Sequence, residues 1–217
     1  SEPRSGEITV TALNKTETVN LTQAGYVAGY AAEFVGTYAV AGDVIGMVGT
    51  APCDHTAIVE RVNPTTIKFS YFFGFDETYG EPAGSFYDEI LATVDGESKA
   101  IRFAGGQEIL DYLAEPNVAH MWPSHASKAD AELNIGEEFP PFDVVTTDGV
   151  MSFDLAYTDV IGATVNGVAK NTFAMLLAVN QQTGLYVAPV EFYLGTKFTK
   201  TSSEITFPAP QYGQRSV

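Results

Sequence analysis

The sequence predicts an all-β protein, an antiparallel jelly-roll sandwich or barrel with one or two short helices set in loops. Three observations carry that expectation. Apolar residues recur with a period of two through most of the chain, as they do when one face of a strand is buried. Turn pairs, among them Asp95-Gly96, Asp148-Gly149, Asn166-Gly167 and Thr183-Gly184, punctuate those runs. Helical periodicity is confined to two short stretches. Strands without crossover helices pair mostly antiparallel, and so many of them either stack as two sheets or close on themselves to remove exposed edges.

The first run, "EITVTALN", alternates through Ile8, Val10 and Ala12. "MVGTAPCDHTAIVERV", which continues "DVIGMVG", reads as strand, turn and strand, with Asp54 as a turn residue and Cys53 as a small buried hydrophobe. In "TTIKFSYFFGF" the residues Ile67, Phe69, Tyr71, Phe73 and Phe75 fall on one face and Lys68 and Ser70 on the other. That is a half-buried strand. "KAIRFA" follows. In "GGQEILDYLAEP" Ile109, Leu110 and Leu113 share a helical face and Pro116 stops it, which predicts a short helix. From Pro116 to Pro141 the chain is rich in Pro, Ala and acidic residues, which predicts a long loop with one short helix, "SKADAELNIG", closed by Gly136. "VMSFDLAY", "DVIGATV", "KNTFAMLLAV" and "LYVAPVEFYLG" complete about ten to thirteen strands. The end, "FPAPQYGQRSV", has two prolines and no apolar alternation. Residues 1–207 are therefore expected to form one domain, and 208–217 an extended arm that works in assembly.

Composition narrows the functional classes. The 217 residues are 45% apolar and 12% aromatic, ample for one core, and no apolar run reaches the roughly 18 residues of a membrane span. A soluble protein with no transmembrane segment is expected. The opening residues Ser-Glu-Pro-Arg-Ser-Gly-Glu lack the build of a signal peptide, which leaves the compartment open. Twenty-seven acidic against eleven basic residues give a net charge of -16. Direct nucleic-acid binding needs a basic patch, and the nearest approach to one is Lys197 with Lys200. Such a surplus repels itself at low ionic strength and is best tolerated where salt screens it. A high-salt habitat is one expectation, and an ordinary acidic secreted protein is the alternative. A single cysteine rules out an internal disulfide.

No residue set commits to catalysis, a cofactor or a metal. Cys53 and His55 are two positions apart, on one face of a strand but about 6.6 Å from each other, so they approach only if the segment curls, and a cysteine nucleophile needs its histidine in hydrogen-bond reach and a third group to orient that histidine. In "HMWPSH" the spacing of His120 and His125 is five and Pro123 forbids a helix through it, so a loop with Trp122 buried beneath it or in a partner is expected instead of a metal site. Asp143, Asp148 and Asp154 are too loosely spaced for a calcium loop. The pairs Asp88-Glu89 and Glu137-Glu138 read as solvated surface. "GMVG" and "AGG" lack the Gly-Lys-Ser/Thr of a phosphate loop. Asn14 and Asn20 begin glycosylation sequons that matter only after export in a glycosylating host.

The strand runs "TTIKFSYFFGF" and "LYVAPVEFYLG", the acid-rich stretch "KADAELNIGEEFPPFD" and the extended "FPAPQYGQRSV" together resemble the single jelly-roll capsid proteins of icosahedral, membrane-containing viruses that infect halophilic archaea. The resemblance implies a virion protein, not an enzyme: upright barrels packed side by side, with loops and termini reaching neighbouring copies and other virion proteins. Two alternatives stand beside it. One is an extracellular jelly-roll module that binds carbohydrate on a platform of Tyr71, Phe73, Tyr186 and Tyr193. The other is a small β-barrel enzyme using His55, His120 or His125.

Overall fold

The computed structural model describes residues 4–12, 15–23, 29–46, 49–74, 89–109, 116–123, 138–156, 163–165 and 167–207. Among them lie β1 (Arg4–Ala12), β2 (Lys15–Gln23), α1 (Ala31–Phe34), β3 (Gly36–Gly46), β4 (Gly49–Pro52), β5 (His55–Asn63), β6 (Thr66–Ser70), β7 (Glu89–Asp95), β8 (Ala100–Phe103), β9 (Gln107–Ile109), β10 (Asn117–Pro123), β11 (Phe142–Thr147), β12 (Val150–Leu155), β13 (Ala163–Val165), β14 (Val168–Lys170), β15 (Thr172–Asn180) and β16 (Tyr186–Ser202). The expected arm at 208–217, the stretch "SKADAELNIG" and His125 lie outside the described residues.

Period-two sequence produces the walls. In β7 the buried residues Ile90, Ala92 and Val94 alternate with exposed Glu89, Leu91, Thr93 and Asp95. β6 does the same with Ile67 and Phe69. The turn pair Asp148-Gly149 takes φ values of 52° and 80°, the left-handed geometry that lets a two-residue loop follow strand twist between β11 and β12. Eight strands close an antiparallel barrel in the order β3-β5-β6-β7-β8-β11-β12-β16, and β16 pairs back onto β3. Each strand of the ring neighbours the next ring strand in chain order. The barrel is thus up-and-down, and the Greek-key crossovers of the expected jelly roll are not found in the ring.

An eight-stranded barrel has an interior just wide enough for side chains to fill. Here aromatic rings fill it. Phe153 and Phe198 stack with centroids 5.0 Å apart, and Phe69 lies 5.2–6.0 Å from Phe72, Phe103, Phe153 and Phe198. All five rings are at most 2% exposed. At the end where β3 begins, α1 closes the barrel, with Ala31 and Phe34 buried and Ala31 N donating to Pro64 O at 3.2 Å. The hydroxyl of Tyr38 donates to Phe34 O at 2.9 Å, and burial raises its pKa far above the usual phenol range.

The far end is built differently, because β16 is shared between two sheets. Its second half pairs with β12 and β3 in the barrel, and its first half pairs with β15. Gly195, at φ 54°, lies in a register shift between Leu194 and Lys197, a bulge that bends the strand out of the ring. β15, β10 and β9 extend the sheet from there. β9 then returns to the barrel wall through one side chain. Gln107 Nε2 donates to Leu91 O at 2.9 Å while Leu91 N donates to Gln107 Oε1 at 2.8 Å, so an amide side chain substitutes for a strand neighbour of β7. Ile109, Met121, Phe139 and Phe173 cover this end of the core.

Several expectations are corrected here. Of the predicted helix in "GGQEILDYLAEP", Gln107–Ile109 is β-strand, fixed by pairing with β10 and by the Gln107 contact, while residues 110–115 lie outside the described residues. The predicted loop at "HMWPSH" is strand β10 as far as Pro123, a residue beyond the stretch Ala119–Met121 that β9 pairs with. "TTIKFSYFFGF" leaves the strand after Ser70, because Tyr71 adopts φ 60° and breaks the alternation, sending Phe72 into the core beside Phe73. Sixteen strands, not ten to thirteen, lie among the described residues, and the helix among those residues is α1, which the sequence reading did not single out.

Candidate functional site

The Cys53–His55 pair does come together. Cys53 precedes β5, its N–H donates to Gly42 O at 2.9 Å, and this curl brings Sγ to 3.7 Å from His55 Nδ1. His55 Nδ1 also lies 3.3 Å from Cys53 O, and Nε2 lies 3.1 Å from Phe72 O. Both carbonyls accept, so the ring can donate from Nδ1 to Cys53 O or from Nε2 to Phe72 O, and with the proton on Nε2 the free Nδ1 faces the thiol. On distance alone this is a thiol–imidazole dyad with a carbonyl orienting the ring. Access decides against chemistry: Cys53 is 4% exposed, belongs to the core cluster, and its thiol also reaches Phe73 O at 3.6 Å. Gly74 at φ 80° lies against the imidazole so closely that a Cβ there would come within 2.7 Å of His55 Cγ. The pair fastens the 71–74 loop over the barrel mouth.

His120 projects from β10, and its Nε2 is 3.7 Å from Glu108 on the neighbouring β9. Burial lowers its pKa, and the Glu108 carboxylate partly offsets that. Trp122 on the same strand meets Tyr186 of β16 edge to face, with centroids 6.2 Å apart. Of the four aromatics proposed as a carbohydrate platform, Phe73 and Tyr193 are packed on each other in the core with centroids 4.5 Å apart. Tyr71 is half-buried in the loop, and Tyr186 alone is exposed. The four do not form one face.

Asp88 and Glu137 lie outside the described residues, and the described acidic candidates scatter. Glu89 pairs with Lys68 at 2.9 Å, Asp148 occupies a turn, and Asp154 stands opposite Lys197 on β16. Among the described residues, no three His, Cys, Asp or Glu side chains gather as a metal site would require. Lys197 and Lys200 do not form a patch either, since Lys200 Nζ donates to Glu33 O at 2.7 Å. Among the described residues a deeply placed ion pair joins Lys170, at the end of β14, to Asp43, whose side chain is 10% exposed. It anchors the β13–β14 hairpin against β3.

The sequence marked "LYVAPVEFYLG" as a strand and Tyr186 as a platform residue, but not that the start of β16 is exposed. Every residue from Gln181 to Pro189 is exposed, and the stretch includes Leu185, Tyr186 and Val187 at 67%, 47% and 59%. Alternation is lost there although β15, which pairs with it, is buried from Phe173 to Val179. The signal was present as five apolar residues in a row, Leu185 to Pro189, which a one-sided strand does not need. Comparison with protein-family models, characterised proteins and solved structures gives no match.

Proposed function

We propose that this chain is a structural protein that assembles with copies of itself, and that the setting its sequence suggests is the shell of a virion from a high-salt host. The observation that carries the reading is the filled barrel. Rings at most 2% exposed occupy the interior where a carrier barrel keeps its ligand, and α1 closes one end. A barrel packed this way is a rigid body that acts through its outer surface. Support comes from the packing and the exposed strand start, because the up-and-down ring differs from the jelly roll that the capsid resemblance implies.

The test is assembly state against salt. Light scattering and electron microscopy of the purified protein in rising chloride are expected to show ordered oligomers or lattices. A monomer at every protein and salt concentration that binds glycans would replace this reading with the carbohydrate module, for which the Trp122–Tyr186 pair is the structural support.

A further inference from the structure

β16 carries an open edge at its start. β3 pairs with β16 as far as Ile45 opposite Phe192, then turns into β4 at Gly46 opposite Gly49. Beyond that point β16 pairs with β15 alone, from Val179 opposite Tyr186 to Leu176 opposite Glu191. The other edge meets no strand among the described residues. An open edge presents unpaired N–H and C=O groups to any chain that can lie along it, and proteins usually guard such edges with charge, proline or a bulge. Pro189 and the β15–β16 register shifts are present here, but no charged residue occurs between Gln181 and Val190.

Charge decides the occupant. On a chain of -16, two copies approach with least repulsion where both surfaces are uncharged, and this exposed apolar strand start is such a place. A basic partner would find its attraction elsewhere on the acidic surface. We infer that residues Leu185–Val190 form a homotypic contact in which the β16 edges of two copies pair antiparallel about a twofold axis, so that the residue at the axis faces itself in the other copy. The inference rests on the assembly reading above and names its surface. A twofold contact uses the same patch twice, so an apolar strand edge complements itself. Six residues a side is small beside the 20–30 or so of a standard interface. The contact is therefore weak singly and cumulative in a shell.

Sedimentation of the full chain in molar chloride over a wide protein range tests this, comparing the wild type with Val187→Lys, Leu185→Lys and Val145→Lys. Val145 is 52% exposed on β11, which belongs to the barrel wall away from β16's start, and serves as the control. Each substitution lowers the net negative charge, so weaker association cannot be laid to added repulsion. The expected result is association by the wild type and the control, weakened about tenfold or more in both β16 variants, with thermal melts unchanged. Equal association by all four overturns the edge contact and leaves the assembly reading standing. Equal weakening in Val145→Lys also overturns it. A wild type monomeric throughout removes both.

Discussion

Replacing Phe69 by Ala measures whether the barrel is filled. Phe69 is 0% exposed and touches four other rings, Phe72, Phe103, Phe153 and Phe198, so its loss opens a void bounded by rigid side chains from four directions. Such sites collapse poorly, and Phe→Ala in a packed core costs about 3–5 kcal/mol. At about 2–4 °C per kcal/mol for a domain of this size, the melting temperature should fall by roughly 6–20 °C. Thermal unfolding followed by circular dichroism and calorimetry, checked for reversibility, reads the shift. Phe207→Ala is the contrast, since Phe207 is 60% exposed. Its change should stay within about 0.5 kcal/mol. A fall of less than about 3 °C for Phe69→Ala would mean that the ring lines a space rather than fills one, and the rigid-body argument would be lost.

Melting temperature should rise as chloride goes from about 0.1 M to about 1 M, because screening relieves the self-repulsion of a -16 chain; a flat or falling curve removes the high-salt argument. The Cys53 thiol should react with a disulfide reagent only after unfolding, and Cys53→Ser should cost about 1 kcal/mol without affecting assembly, whereas rapid reaction of the folded protein would restore the dyad as a candidate nucleophile. His120 has a folded pKa held below its ordinary 6.5 by burial, with Glu108 opposing, so its neutral form is favoured in the fold. The stability it supports is present above about pH 6.5 and is lost as pH falls through the lower folded value. His120→Gln should therefore lose less stability than the wild type between about pH 7 and pH 5 in thermal melts, and parallel losses would refute the assignment. Gln107→Ala removes both contacts to Leu91 and should cost about 1–3 kcal/mol with faster exchange of the Leu91 amide; unchanged exchange would show that the side chain is no substitute for a strand.

The β class was legible because half-buried antiparallel strands write their two faces into consecutive residues. Ile90, Ala92 and Val94 in β7 and Ile67 and Phe69 in β6 needed nothing beyond local spacing. Asp148-Gly149 announced its hairpin through the left-handed backbone it can adopt. The expectation against nucleic-acid binding rests on net charge, which sums over composition without regard to fold.

Tertiary structure decided what depends on a distant partner. Gln107–Ile109 is too short to fix its own conformation, and pairing with Ala119–Met121 made it strand. The curl that sets Cys53 beside His55 follows from the bond between Cys53 N and Gly42 O, eleven positions away in sequence. Closure of β16 onto β3 brought residues 192–202 against residues 37–45 and turned strands that spacing alone allows in many orders into one up-and-down barrel. Leu185 to Pro189 were apolar in the sequence like any core strand. The end of β3 at Gly46 left them at an edge that no strand among the described residues covers, because a strand's exposure is set by how far its neighbour runs, and that length is encoded elsewhere in the chain.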